Sequence, residues 1–384
     1  MVQTAAVDFA VASTGNLETF DNVYQIFSIP YLFDSVDVYH KVMEDDELMS
    51  SIFESTEKSG FQAVAWYEAG TRNFYSTSPI KTPEDLKGKK IRVQQSPTNV
   101  RMMQLFGAAA APMSFGEVYT AIQSGVIDGG ENNELALTNN KHGEVAKYYT
   151  YNQHQMVPDL LVGNVKFLNE LPVEERKVFD EAAKESTRVE REAWEENTKI
   201  AIEDAKAMGV EFIETDVQTF KEKVLPLHEE LLLQNSKLKP IYKKIQQVNK
   251  EVKEQSNMKS LKKVLNKILK VVCIAIFAFI TIIGLYQIIT RYVFNAPSTV
   301  SEELLTFSFT WMALLAAALV LVYGGIEITK LTSSQVTASL GVPMSYIYSV
   351  IPVTGVLIVT YNIINITELL SQDKVEKSIG REEK

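Results

Sequence analysis

The spacing of hydrophobic and polar positions along this chain changes at about residue 258. Before that point, apolar stretches of strand length alternate with amphipathic stretches of helical period. After it come three long runs that contain almost no charge. The first pattern predicts a mixed α/β domain over residues 1–257, and the second predicts an all-α transmembrane domain over residues 258–384.

Short elements follow one another between Phe61 and Gly130, an alternation typical of an α/β sheet. The predicted strands are Phe61–Tyr67, Lys90–Gln94 and a short strand and turn at Val126–Gly129, and the predicted helices are Thr82–Leu86, Asn99–Phe106 and Phe115–Ser124. A long helix is predicted at Val173–Met208, followed by a shorter one at Val217–Asn235. The long helix is highly charged with sparse apolar positions, so we expect it to lie on the surface and to span two lobes.

Each apolar run in the C-terminal part is long enough to cross a hydrocarbon core of roughly 30 Å. The predicted spans are 268–290, 304–325 and 344–366, and the first holds one charge in 23 positions. Lysines before the first span place that end in the cytoplasm, and the basic residues of the tail favour the same side. Because three spans cannot satisfy both, either the charge rule fails here or a span is missing.

Charge separates the same two parts. Residues 258–384 hold 11 basic and 8 acidic residues, a net charge of +3, and the remaining 27 basic and 40 acidic residues give residues 1–257 a net charge of −13. The overall charge of −10 argues against a nucleic-acid partner. The single cysteine, Cys273, excludes a disulfide scaffold.

No residue pattern in the chain is typical of an enzyme. There is no nucleophile–base motif and no phosphate-binding loop, since Gly129-Gly130 is too short for one. The histidines are scattered without a spacing suited to joint metal ligation: His40, His142, His154 and His228. We therefore expect no catalysis, no metal and no cofactor.

Three features indicate a site for an acidic ligand. Arg72 follows Gly70-Thr71 at the end of a strand, Arg92 lies between apolar strand-forming neighbours, and Asp128–Asn132 form a turn-rich loop. A strand arginine can bind a carboxylate through two parallel hydrogen bonds, which a lysine cannot do. From the pattern alone, a surface position at the strand edge is the commoner interpretation of Arg92.

Most of residues 1–250 resemble the substrate-binding subunit of tripartite ATP-independent periplasmic (TRAP) transporters. The resemblance rests on GTRNFYSTSPIKTPEDLKGKKIRV (70–93), APMSFGEVYTAIQSGVIDGGEN (111–132) and the long helix after LPVEERK (171–177). It implies a periplasmic-binding-protein-like fold. Two α/β lobes, joined by hinge strands and a long helix, would close over an organic acid.

The same resemblance implies the substrate-binding residues. Arg92 matches the arginine that pairs with the substrate carboxylate, and Arg72 matches a second cleft arginine, for which a structural ion pair is the alternative. Phe115 matches an aromatic ring beside the ligand, and Asn132 matches a polar contact. Gln95 occupies the position where sialic-acid binders have asparagine.

The solute that fits best is a small dicarboxylate or a sugar acid. Ser13 and Asn16 stand about where sialic-acid binders carry Glu and Arg, which argues against sialic acid. We expect the protein to bind such a carboxylate-bearing small molecule and to deliver it to the large membrane subunit of a transporter. The alternative is a membrane-tethered receptor or sensor ectodomain, and the lack of a nucleophile motif disfavours a membrane-anchored hydrolase.

Residues 258–370 resemble the small membrane subunit of the same system, with the loop N-x-P-x-x-x-S-E-E as the best local marker. That family has four spans and cytoplasmic termini, so we expect a span to be missing near Ala317–Tyr323. The chain begins in what looks like the middle of the first lobe, and Met258 looks like the start of a second reading frame. We expect the chain to be the product of two joined genes. We expect its C-terminal part to lie in the lipid bilayer of the inner membrane. The family's binding domain is periplasmic, but without an export signal residues 1–257 should remain in the cytoplasm.

Overall fold

The computed structural model describes residues 1–296, 299–332 and 344–356. The chain divides into two compact units, Met1–Asn257 and Met258–Lys384. The strands of the described residues are β1 Phe9–Ser13, β2 Phe61–Tyr67, β3 Thr71–Ser76, β4 Lys90–Val93, β5 Ala109–Pro112, β6 Gly129–Asn132, β7 Tyr148–Met156, β8 Asp159–Asn164 and β9 Glu211–Glu214. Their α-helices are α1 Thr14–Leu17, α2 Val36–Met43, α3 Asp46–Phe53, α4 Pro97–Phe106, α5 Val118–Gln123, α6 Leu135–Thr138, α7 His142–Val145, α8 Val165–Glu170, α9 Val173–Ala207, α10 Val217–Gln234, α11 Leu238–Tyr292, α12 Thr299–Leu331 and α13 Met344–Tyr348. Their 3₁₀ turns are Val2–Thr4, Asn22–Ser28, Glu54–Ser59, Pro83–Leu86 and Phe115–Glu117.

Two sheets form the two lobes of the first unit. The sheet of the first lobe has three antiparallel strands in the order β1-β8-β2. The sheet of the second lobe has six mixed strands in the order β5-β4-β6-β3-β7-β9. The chain passes from one sheet to the other between β2 and β3 and returns between β7 and β8. Two short crossings therefore connect the lobes, which confirms the two-lobed α/β fold.

Strand β6 corrects one prediction. The sequence predicts a strand at Val126–Gly129 and a loop that reaches Asn132, whereas the strand begins at Gly129 and includes Asn132. A Cβ built on Gly129 would lie only 2.2 Å from the backbone oxygen of Tyr75 on β3. The glycines here allow neighbouring strands to approach closely, a role that the sequence does not distinguish from a turn.

Helix α9 contacts both lobes, as the sequence predicts. Phe179 stacks on Phe9 of the first lobe with ring centroids 5.3 Å apart, and Thr187 Oγ1 donates to the carbonyl of Trp66 at 2.8 Å. Towards the end of the helix, Ala205 is fully buried in the core of the second lobe. The helix therefore braces the two lobes along their common side.

Apolar residues cover both faces of the six-stranded sheet. On one face Ile91 and Val93 of β4 join a large core with residues of α4, α10 and the start of α11. On the other face lies a smaller core: Tyr75, Val118, Ile122, Ile127, Leu137, Ala146, Tyr149, Ala205 and Val210. Arg92 lies between Ile91 and Val93 in sequence, so strand alternation directs its side chain away from the large core.

Long helices form the described part of the second unit. The predicted spans 268–290 and 304–325 lie within α11 and α12. The third, 344–366, begins with α13, and its residues 357–366 lie outside the described residues. Among the residues that the structure describes, no helix combines the length and the apolar character needed to cross a bilayer. The predicted membrane spans are therefore not supported, although the predicted helices are present at the first two.

Candidate ligand-binding site

Arg92 is a buried cation that no acidic side chain of the described residues neutralises through an ion pair. Its side chain is 4% exposed, and Nε and Nη2 donate to the carbonyl oxygen of Met113 at 3.2 and 3.0 Å. Burial lowers the pKa of Arg92, but a guanidinium stays protonated in proteins. Because an unpaired buried charge is costly, this position is suited to receive an anion.

An aromatic wall stands beside this guanidinium. The Cζ atom of Arg92 lies 5.4 Å from the ring centroid of Phe115. The rings of Phe115 and His142 pack edge to face, with their centroids 5.2 Å apart. Burial and the nearby charge of Arg92 lower the pKa of His142 to about 4, so this imidazole is neutral at pH 7. The Nδ1 atom of His142 lies 3.0 Å from the hydroxyl of Tyr75. The wall is therefore apolar on one side and carries no second charge.

Arg72 is also buried, but the protein supplies its anion. Nε donates to Glu131 Oε2 at 2.5 Å, Nη2 to the carbonyl of Glu131 at 2.9 Å and Nη1 to Asn132 Oδ1 at 3.1 Å. Burial alone would raise the pKa of Glu131, but Arg72 and His154 outweigh it and hold that pKa at about 2. The geometry is that of a structural ion pair, and the role of Arg72 in contacting a solute stays a prediction.

Asn132 is oriented by its neighbours. Its Oδ1 accepts from Arg72 Nη1 and from the backbone and side-chain nitrogens of Asn133 at 2.9 and 3.2 Å. These three donors fix which end of the amide is the oxygen. The amide nitrogen Nδ2 has no hydrogen-bond partner among the described residues. Two N–H groups at the end of β6 are thus free to donate to a solute.

The two neighbouring glutamines after β4 have different environments. Gln95, the predicted contact, is exposed, whereas Gln94 is only 5% exposed. Gln94 Nε2 donates to Ser13 Oγ at 2.7 Å, and its Oε1 accepts from Asn99 Nδ2 at 3.3 Å. Since Ser13 ends β1 in the first lobe, Gln94 connects the lobes, whereas the neighbouring Asn16 is exposed. Sequence reasoning missed Gln94 because the resemblance pointed to Gln95. The signal that could have found Gln94 is its place two positions after Arg92 in the predicted strand Lys90–Gln94, where alternation puts both on one face.

A second polar link joins the lobes nearby. The carboxylate of Glu18, which follows α1, accepts from Ser96 Oγ at 2.8 Å and from Thr98 Oγ1 at 2.9 Å. Burial raises the pKa of Glu18, and the hydroxyl donors oppose that rise. The contact between Ser96 and Glu18 was not predicted from the sequence. Ser96 also caps helix α4, and that local role already explains a serine at this position. Polar groups from both lobes therefore meet next to Arg92 in the sequence and bond to each other there.

Residues 1–235, more than half of the chain, match the family model DctP, described as bacterial extracellular solute-binding protein, family 7. The chain belongs to this family. Family 7 proteins bind solutes and are not enzymes. The matched segment contains both lobes and every candidate site residue described above. Separately, residues 280–326 match the DctQ component of tripartite ATP-independent periplasmic transporters.

Three proteins of known sequence or structure are similar to this chain. The uncharacterized protein YiiZ of Salmonella typhimurium is 43% identical over 248 residues, which is 64% of this chain and 76% of that protein. A TRAP periplasmic solute binding protein from Anaerococcus prevotii, solved with bound α/β-D-glucuronate, is 55% identical with a TM-score of 0.64 and covers 65% of this chain and 82% of its own. Another from Sulfitobacter sp. NAS-14.1, with bound β-D-galacturonate, is 34% identical with a TM-score of 0.61 and covers 63% and 80%. Both solved proteins carry a uronate, a sugar acid with one carboxylate.

Proposed function

We propose that residues 1–257 bind a uronate and deliver it to a TRAP-type secondary transporter. The observation that carries the proposal is Arg92, a buried guanidinium without an ionic partner among the described residues. Sugar acids bound to two similar solved proteins support a uronate over a dicarboxylate. The solute's carboxylate would provide the anion that the protein does not provide itself.

The surrounding groups suit the rest of a sugar acid. Arg92 Nη1 has no hydrogen bond among the described residues, and a guanidinium presents its N–H groups as a planar fork that matches a carboxylate. Phe115 offers an apolar surface for the C–H face of a sugar ring. Asn132 offers two amide N–H groups to ring oxygens. One charge, one aromatic face and several neutral polar groups match one carboxylate on a hydroxylated ring.

The finer parts of the proposal concern the transporter. The DctQ match at 280–326 supports a chain that joins a solute-binding domain to a small membrane subunit. Its partners would then be the large membrane subunit and the lipid bilayer. The solute-binding domain would act on the periplasmic side of the inner membrane, as in proteins of this type, and the expectation that residues 1–257 remain in the cytoplasm would then be wrong. The same match favours transport over the sensor alternative.

Calorimetric titration of the full chain with D-glucuronate tests the site. Truncating one partner of a buried, hydrogen-bonded charge pair costs roughly 2–5 kcal/mol, so Arg92→Ala should weaken binding about 30-fold to several thousand-fold. Arg92→Lys should lose much of the affinity because the fork is gone. Arg101→Lys is the matched control, since Arg101 is paired with Glu230 on the surface. Wild-type affinity in Arg92→Lys would remove Arg92 from the site.

A further inference from the structure

We propose that Gln94 determines specificity by recognising one ring hydroxyl of the sugar acid whose carboxylate binds Arg92. This inference rests on the proposed function and names the group that distinguishes a hydroxylated acid from a plain one. It transfers to Gln94 the role that sequence similarity gave to Gln95. Four observations carry it: the burial of Gln94, the fixed orientation of its amide, its remaining hydrogen-bonding capacity and the space that Gly15 leaves for it.

A chain of buried amides fixes the orientation of Gln94. The carbonyl of Ser28 can only accept a hydrogen bond, so the end of Gln155 that meets it must be Nε2. The same Nε2 donates to Asn99 Oδ1 at 2.8 Å, which turns Asn99 Nδ2 towards Gln94 Oε1. Gln94 Nε2 is thereby directed to Ser13 Oγ. A backbone carbonyl thus determines which end of the Gln94 amide faces each lobe.

This arrangement leaves Gln94 with one donor and one acceptor to spare. An amide has two N–H groups and two lone pairs, of which Ser13 and Asn99 take one each. Among the described residues, nothing else hydrogen-bonds to the Gln94 side chain. A hydroxyl group is both donor and acceptor, so it is the ligand group that satisfies what remains. In a site this buried, a ligand without that hydroxyl leaves polar atoms unpaired and is penalised.

Spacing and packing place the amide where a ring hydroxyl would lie. Two residues of extended chain span roughly 6–7 Å, so Arg92 and Gln94 are separated by about the size of a six-carbon sugar acid. A Cβ on Gly15 would lie 2.4 Å from Gln94 Oε1, although Gly15 has no unusual backbone conformation. Glycine is required there by the position of the amide. The first lobe is therefore shaped around the Gln94 side chain.

A protein–ligand cycle with the purified full chain tests the inference. Dissociation constants for D-glucuronate and its 2-, 3- and 4-deoxy analogues are measured by calorimetry for wild type and Gln94→Met, which keeps the length of the side chain and removes its amide. We expect Gln94→Met to weaken glucuronate binding roughly 10- to 100-fold. One of the three deoxy analogues should bind wild type more weakly than glucuronate does, by a similar factor. The same analogue should bind Gln94→Met as tightly as glucuronate binds that variant. Additive losses for all three analogues would overturn the inference.

Control variants separate the possible causes. Gln123→Met changes an exposed glutamine and should leave all four constants unchanged, and Gln95→Met tests the competing assignment. If the deoxy effect disappears in Gln95→Met but persists in Gln94→Met, the inference is wrong. If Gln94→Met does not fold, Gly15→Ala, which displaces the amide without removing it, should reduce the same deoxy discrimination. Glucuronate binding that fails in wild type would instead refute the proposed function.

Discussion

The buried pair of Arg72 and Glu131 makes a quantitative prediction about stability. Glu131→Gln keeps the size of the side chain but leaves Arg72, 4% exposed, without its counter-ion. A pKa lowered from 4.5 to about 2 corresponds to about 3 kcal/mol of stability at neutral pH. Breaking a buried ion pair from one side costs about 3–5 kcal/mol, which agrees. We therefore expect Glu131→Gln to lower the free energy of unfolding by about 3 kcal/mol at pH 7.

Urea denaturation followed by circular dichroism measures this loss. The contribution of a carboxyl with a lowered pKa is fully present above its ordinary pKa, near 4.5, and is lost as the pH falls through the folded value of about 2. The gap between wild type and Glu131→Gln should therefore be constant from pH 7 to 5 and should narrow below pH 4.5. Glu185→Gln is the control, because its partner Arg188 is exposed and such pairs contribute about 0–1 kcal/mol.

Two results would refute this reasoning. A loss in Glu131→Gln no larger than that in Glu185→Gln would mean that Arg72 finds another anion or is not desolvated. A gap that does not narrow in acid would mean that the loss comes from packing or from the neutral hydrogen bonds of Glu131. Either result would also weaken the assignment of Arg72 to a structural pair and would favour its predicted contact with the solute.

Two further predictions concern Glu190 of helix α9 and Gly129 of strand β6. Burial, together with Glu68 and Asp159, raises the pKa of Glu190 to about 7, so ionising it destabilises the fold as the pH rises from about 4.5 to above 7. Wild type should therefore lose stability between pH 5 and 8. The full pKa shift corresponds to about 3 kcal/mol, but Glu190 is half-buried and solvent screens part of its charge, so Glu190→Gln should remove roughly 1–2 kcal/mol of that loss in thermal melts. An unchanged decline would exclude Glu190 as its source. Gly129→Ala should lower the free energy of unfolding by about 1–3 kcal/mol or more, because the new Cβ would meet the backbone of β3. Gly116→Ala is the control and should cost far less, because there is open space around Gly116. Equal melting temperatures for the two variants would contradict the close approach of β6 to β3.

Local patterns determined most of the secondary structure of the first unit. Strand Phe61–Tyr67 has the predicted bounds, and the helices predicted to begin at Val173 and Val217 begin there and end one residue early. The predicted short helix at Thr82–Leu86 is a 3₁₀ turn that Thr82 caps. These elements follow from hydrophobic period and capping residues, which act within a few positions of the chain. The prediction that α9 spans both lobes followed from its length, its high charge and its sparse apolar positions.

The site depended on contacts that local patterns do not contain. Arg72 and Glu131 are 59 residues apart and meet only because β3 pairs with β6, so the sequence left open whether Arg72 serves the ligand or the fold. The same pairing turned a predicted glycine loop into a strand. Gln94 rather than Gln95 is buried and hydrogen-bonded, and its partner Ser13 lies 81 positions away from Gln94 and reaches it through the packing of the lobes. Local sequence fixes which groups are present, and long-range pairing decides which of them remain unpaired for a solute.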